Sequence, residues 1–275
     1  MSAMGLAFRK LLLSTAIITT AGVAAVPWGV RAQDAGELAK QAQNPVAHMI
    51  SVPFQNNFNF GVGPKDDLQY VLNIQPVVPF KVNENWNLVT RTIIPLVYQP
   101  ELAPGIGETG GLGDIQASFF FSPAKAKSVI WGAGPVVVVN SASQDILGTG
   151  KTSLGLSAVA LTMKGHWVIG GLISNVVSVS GDDDRSDINQ LTLQPFVNYN
   201  LPRGWYLVTS PLITANWKAD SGQRWTIPVG GGIGRVIRAG HQALNLQLQA
   251  FDNVEHPDGA AEWSLRFQIQ LLFPH

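Results

Sequence analysis

The sequence predicts an all-β transmembrane protein, an antiparallel up-and-down β-barrel of about twelve strands. Three observations carry that expectation. Segment after segment alternates apolar and polar residues with a period of two, a sorting that only a strand produces. The polar face of these segments carries mainly Gln, Asn, Ser and Thr, where a soluble sandwich would show Lys, Glu and Asp to water. The links between segments alternate between tight turns and longer polar loops, the asymmetry of an outer-membrane barrel whose short turns face the periplasm.

Composition agrees with an ordered, membrane-resident chain. Its 275 residues are 46% hydrophobic and only 13% charged, too apolar for a disordered segment. The 28 glycines and 17 prolines follow no period, which excludes a collagen-like chain. With 18 basic and 18 acidic side chains and no basic run, nucleic-acid partners are set aside. Cysteine is absent, so disulfides, thiolate metal sites and cysteine nucleophiles are excluded.

Residues 1–32 read as a cleaved export signal: Arg9 and Lys10 precede the apolar stretch Leu11 to Val26, and Val30-Arg31-Ala32 approximates a signal-peptidase site. The alternative for this stretch is an uncleaved anchor slightly shorter than the ~20 residues of a spanning helix. Removing it leaves 15 basic against 18 acidic side chains, a mildly acidic mature chain. Beyond it no apolar run is long enough for a membrane helix, so any crossing must use strands. Residues 33–47 form a periplasmic N-terminal segment or plug, with helical patterning over 34–43 that stops before Asn44-Pro45. The barrel occupies 48–275.

Along the barrel, 50–62 sets Ile50, Val52, Phe54, Phe58 and Phe60 against Gln55, Asn57 and Asn59. Segment 69–80 sets Tyr70, Leu72, Ile74, Val78 and Phe80 against Gln69, Asn73 and Gln75. Stretches 86–98, 114–122, 128–140, 152–163 and 166–179 alternate less cleanly but are rich in β-branched and aromatic residues, as strands are. Segment 190–199 sets Leu191, Leu193, Val197 and Tyr199 against Gln190, Thr192, Gln194 and Asn198. The less regular 205–217 and 225–237 come next, then 243–249 and 262–273, whose polar faces hold Gln247, Gln249, Gln268 and Gln270.

Tight turns are expected near 83–85, 123–127, 164–165, 201–204 and 238–240, on the side of both termini. Longer links at 99–113, 141–151, 180–187, 218–223 and 255–261 define the other side, although the link at 64–67 is brief. Trp86 and Tyr98 lie twelve residues apart on one strand face, as do Trp205 and Trp217. At ~3.3 Å per residue and a tilt near 45° this spans roughly 28 Å, close to the ~25 Å apolar band between aromatic girdles. Trp263 and Phe273 complete the girdle candidates.

The lumen-lining candidates are Asn73, Gln75, Gln116, Gln190, Gln194, Asn198, Gln247, Gln249, Gln268 and Gln270. Arg91 and Arg266 join them, because a charge facing lipid at mid-membrane costs ~2–4 kcal/mol. Each arginine either braces the wall or narrows the pathway. Amides supply donors and acceptors without fixed charge, which points to neutral polar or amphiphilic solutes rather than anions.

Several stretches resemble one bacterial family: LAKQAQNPVAHMISVPFQNNFNFGVGP (38–64), WNLVTRTIIPL (86–96), LQPFVNYNLPRGWYL (193–207), SPLITANW (210–217), RWTIPVGGGIGR (224–235) and LRFQIQLLFP (265–274). The chain resembles, over 38–274, the family named for the MetA pathway of phenol degradation, whose members are labelled transporters or, by a transferred name, neuromedin U. The resemblance implies a Gram-negative outer-membrane barrel and passage of small organic compounds. It supplies no functional residues.

Other motifs fail on spacing. Leu147 to Thr152 suggests a phosphate cradle, but Asp145 stands where the first glycine belongs and a strand comes after it instead of a helix. Gly230-Gly231-Gly232-Ile233-Gly234 lacks dinucleotide spacing and reads as a close backbone approach or a bend. Asp182, Asp183, Asp184 and Asp187 could gather a hard cation, yet the calcium-loop spacing is missing and a solvated loop explains them. The five histidines are dispersed and form no zinc pattern. No catalytic residues, metal or cofactor are assigned.

The functional expectation is passive diffusion of small solutes through a narrow or partly plugged pore, since barrels of eight strands are filled and those of sixteen are open. Expected partners are outer-membrane lipid, the solute and the barrel-assembly machinery. An outer-membrane enzyme of lipid-hydrolase type and a closed structural or adhesive barrel stay open as alternatives.

Overall fold

The computed structural model describes residues 32–102, 107–125 and 128–274. The expected export signal lies outside them except for Ala32, as does the terminal His275. The first element, α1, is the helix Ala32–Ala42, close to the range read from the sequence. No helix among the described residues is long and apolar enough to cross a membrane.

After α1 the chain forms one antiparallel sheet: β1 (Ile50–Val62), β2 (Asp67–Ile74), β3 (Val77–Lys81), β4 (Trp86–Gln99), β5 (Thr109–Leu112), β6 (Ile115–Pro123), β7 (Val129–Val139) and β8 (Lys151–Lys164), then β9 (Trp167–Gly181), β10 (Asn189–Asn200), β11 (Trp205–Thr209), β12 (Ile213–Asn216), β13 (Trp225–Ala239), β14 (Gln242–Glu255) and β15 (Trp263–Phe273). The sheet closes on itself, β15 pairing with β1 from Ile50↔Phe273 to Phe60↔Trp263. Three spanning strands are interrupted, between β2 and β3, β5 and β6, and β11 and β12, so the fifteen described segments make twelve staves of a closed barrel. Closure pairs the backbone donors and acceptors that lipid cannot satisfy, and it leaves no edge strand.

The breaks have local causes. Pro76, between β2 and β3, and Pro211, between β11 and β12, bring no N–H to the ladder. The sheet is carried across the break at Pro76 by Thr92, whose N–H donates to the Pro76 carbonyl at 3.1 Å. Between β5 and β6, Asp114 leaves the ladder and its carboxylate accepts from the backbone N–H groups of Ser141 and Ala142 at 3.2 Å and of Thr149 at 2.7 Å. That clasp folds the 140–150 loop onto the barrel rim. The reading of 69–80 and 205–217 as unbroken strands is therefore corrected, and β5 lies inside the stretch read as the 99–113 loop.

β14 outruns the expected 243–249 by six residues at its far end. The next outward positions after Leu248 are Ala250 and Asp252, the latter opposite Trp263, so the apolar alternation is interrupted before the strand ends at Glu255. Turns at 82–85, 165–166, 201–204 and 240–241 share one end with α1, as do the strand ends Pro123 and Val129, and the longer links share the other.

Candidate lumenal site

Side-chain direction alternates along every stave, and burial shows which face is inside. Asn87, Ser118, Ser153, Ser157, Ser174, Asn198, Asn245 and Gln249 are buried, whereas Leu156, Ile173, Leu207, Val229, Ile233 and Leu248 are exposed. A soluble sheet would show the reverse. The greasy face therefore points outward and the amides point in.

Of the twelve lining candidates, Gln75, Arg91, Gln194, Asn198, Gln247, Gln249, Arg266, Gln268 and Gln270 border a single cavity of about 150 Å³. Asn73, Gln116 and Gln190 share the inner face by register, opposite Gln55, Ile93 and Val176, but do not border the cavity. Gln55, Ser51 and Ser210 border it without being among the candidates read from the sequence, although Gln55 stands on the polar face of its strand.

The amides are tied to one another. Tyr206 donates to Asn245 at 2.5 Å, and Asn245 donates to Gln270 at 2.9 Å. Ser210 donates to Gln249 at 3.1 Å, and Gln249 donates to Gln247 at 3.2 Å. The two arginines sit where strands break. Arg91 Nη2 donates to Gln75 Oε1 at 2.6 Å, beside Pro76. Arg266 Nη1 donates to the Ser210 carbonyl at 2.9 Å, beside Pro211, while its Nε donates to Asn57 at 3.2 Å. The Arg266 guanidinium also lies 4.9 Å from the Phe251 ring centroid, within cation–π range.

The cavity is bordered on the α1 side by Gln41 to Pro45, Ala47 and Met49. Leu38, Ala39, Ala47 and Met49 pack with the inward-facing Tyr206, Val208, Val236, Ala243 and Leu272. Val46 packs with Val89, Phe120, Val159, Leu161, Val168, Leu172 and Phe196. Gln43 and Asn200 exchange two side-chain hydrogen bonds, at 3.0 and 3.1 Å. His48 and Asn87 lie 2.8 Å apart. The inner wall at this end is thus apolar, and the N-terminal segment covers it.

The girdle candidates are exposed or half-buried, in two levels. Trp86 meets Trp131 edge-on at 5.9 Å, Trp205 stacks under Arg235 at 4.7 Å, and Phe273 stands opposite Ile50, all at the short-turn end. At the long-loop end Trp263 stacks on Phe60 at 3.9 Å, Trp217 meets Trp225 at 5.5 Å, and Tyr98 donates to Glu108. Outside the spanning segments, Lys65 donates to Glu101 at 2.5 Å, and that hydrogen bond and the carboxylate charge hold its pKa above the usual lysine value.

Asp182 to Asp184 and Asp187 belong to the 182–188 loop, where Asp187 accepts from Ser178 at 3.3 Å and lies 3.9 Å from the Lys151 ammonium. Gly230, Gly232 and Gly234 occupy alternate inward positions of β13, and Tyr206 lies over Gly234.

No known family and no curated protein is matched by the sequence. Among solved structures, an outer membrane channel from Pseudomonas putida F1 is similar with a TM-score of 0.62 at 15% identity, over 82% of this chain and 94% of that one. The NanC porin is similar with a TM-score of 0.52 at 10% identity, over 82% of this chain and 100% of that one. At such identities the likeness establishes the barrel fold.

Proposed function

We propose that the chain is an outer-membrane channel through which small organic solutes, neutral or amphiphilic, diffuse passively. The observation that carries this reading is a polar cavity enclosed by a wall whose exterior is apolar between two aromatic levels. In that setting the short-turn end faces the periplasm. Residues 33–47 close that end as a plug, and the export signal is removed before the barrel-assembly machinery inserts the chain.

A channel is favoured over a hydrolase by the cavity's chemistry. Among the described residues its border holds no Asp, Glu or His, the groups that do general acid–base work.

The test is reconstitution of residues 33–275 in planar bilayers beside a chain lacking 33–47. The expected outcome is a small, discrete conductance in the first and a severalfold larger one in the second, with swelling of liposomes in neutral sugars or small alcohols. A barrel that stays electrically silent in both forms refutes the channel.

A further inference from the structure

We infer that the mid-lumen cavity is a binding site for the carboxylate of a small, single-ring or short-chain organic monoanion, held between Arg91 and Arg266. The inference rests on the channel reading and names its substrate class.

Three features argue for it. The first is uncompensated charge: both guanidinium groups border the same cavity, and no carboxylate among the described residues borders it or pairs with either of them. Two like charges with 9% exposure at Arg266 and partial burial at Arg91 are costly when uncompensated, and enclosed charges are held with a partner of opposite sign. None of the described residues on the wall supplies that partner.

The second feature is spare donor capacity. A guanidinium carries five N–H donors. Arg91 gives one to Gln75, and Arg266 gives one each to Asn57 and Ser210. Those bonds fix both side chains on the barrel wall and leave further N–H groups for an incoming ligand. A planar carboxylate matches this fork in two-point fashion, which a neutral hydroxyl does not.

The third is the apolar part of the cavity's lining. Met49, Val77, Leu172, Phe196 and Val208 border the same space and offer apolar surface to the organic part of the ligand. About 150 Å³ is also the scale of a cavity that accepts one benzene ring. Charge, donors and an apolar wall together describe an amphiphilic monoanion. The amide ring alone would favour neutral polar solutes; the guanidinium pair adds selectivity for the ionised carboxylate.

The probe is sodium benzoate, with benzyl alcohol as its neutral counterpart and chloride as the simple anion. Calorimetry on the folded chain in detergent, at fixed ionic strength, should show saturable benzoate binding, at least tenfold weaker for benzyl alcohol and for chloride. Arg91→Gln should weaken benzoate at least tenfold and leave benzyl alcohol unchanged, whereas Arg91→Lys should retain part of the affinity. Arg91 is the first choice because Arg266 also holds the Ser210 carbonyl; heat-dependent gel mobility verifies that each variant is folded.

Equal binding of benzoate and benzyl alcohol overturns the carboxylate site, as does an unchanged benzoate affinity in Arg91→Gln. Chloride competing at the same concentrations as benzoate overturns the organic part. Benzoate binding in a barrel that does not conduct supports the site and refutes the channel, so the two failures are told apart.

Discussion

Gly234 shows how one residue sets the inner wall. A Cβ there would lie 2.1 Å from Tyr206 Cζ, so the ring occupies the space that any side chain would need. Its position lets the hydroxyl reach Asn245, one of the most deeply buried amides of the chain. Gly234→Ala must push the ring away and strain that bond, an overpacking cost of about 1–3 kcal/mol. The expected result is a lower urea midpoint in detergent; an unchanged midpoint would show that the ring moves freely. Leu248 tests the two faces against each other: it is 46% exposed at the middle of β14, between Ile233 and Phe267. Leu248→Arg should cost about 2–4 kcal/mol in lipid, while Gln247→Glu, its inward neighbour, which adds a carboxylate to the cavity that holds Arg91 and Arg266, should fold normally. Refolding yields into vesicles measure the difference.

Among the elements, the N-terminal segment explains why several of the strands alternate poorly. Tyr206-Leu207-Val208 and Leu271-Leu272 are apolar on both faces because the outer face meets lipid and the inner face meets Leu38, Ala39, Ala47 or Met49. The irregular patterns of 152–163 and 166–179 have the same origin in Val159, Leu161, Val168 and Leu172, which pack with Val46. A segment packed this way is sensitive to a buried charge on its own apolar face. Leu38→Asp should give bursts of larger conductance in bilayer recordings, with the barrel's heat-dependent gel shift preserved. Identical traces would mean the segment does not control the pathway. Asn200→Ala would act from the wall side, leaving the Gln43 amide buried without its partner at a cost of about 1–3 kcal/mol.

The whole molecule is organised by an inverted solvent arrangement, with apolar bulk outside, amides within and aromatics at both rims. The Phe60–Trp263 stack couples the rim to barrel closure, since these two residues also pair β1 with β15. Trp263→Ala removes a stacked pair worth about 0.5–1.5 kcal/mol beyond its area and should lower the temperature at which the folded gel band disappears. Loss of the band at an unchanged temperature would place Trp263 outside the interface.

The fold class was legible because the period of two is a local property of each strand. Twelve apolar segments, five of them cleanly alternating, together with alternating link lengths, were enough to specify the number of staves and which face is polar. Gln75, Gln194 and Gln270 could be placed indoors for the same reason, and Arg91 because a charge facing lipid is costly. Their convergence on one cavity could not, because it depends on pairings such as Phe60↔Trp263 and Arg266↔Asn57, made between residues about two hundred positions apart. The packing of the N-terminal segment on the apolar inner wall was equally out of reach: an isolated strand pattern records that a side chain is apolar, not whether lipid or another part of the chain covers it.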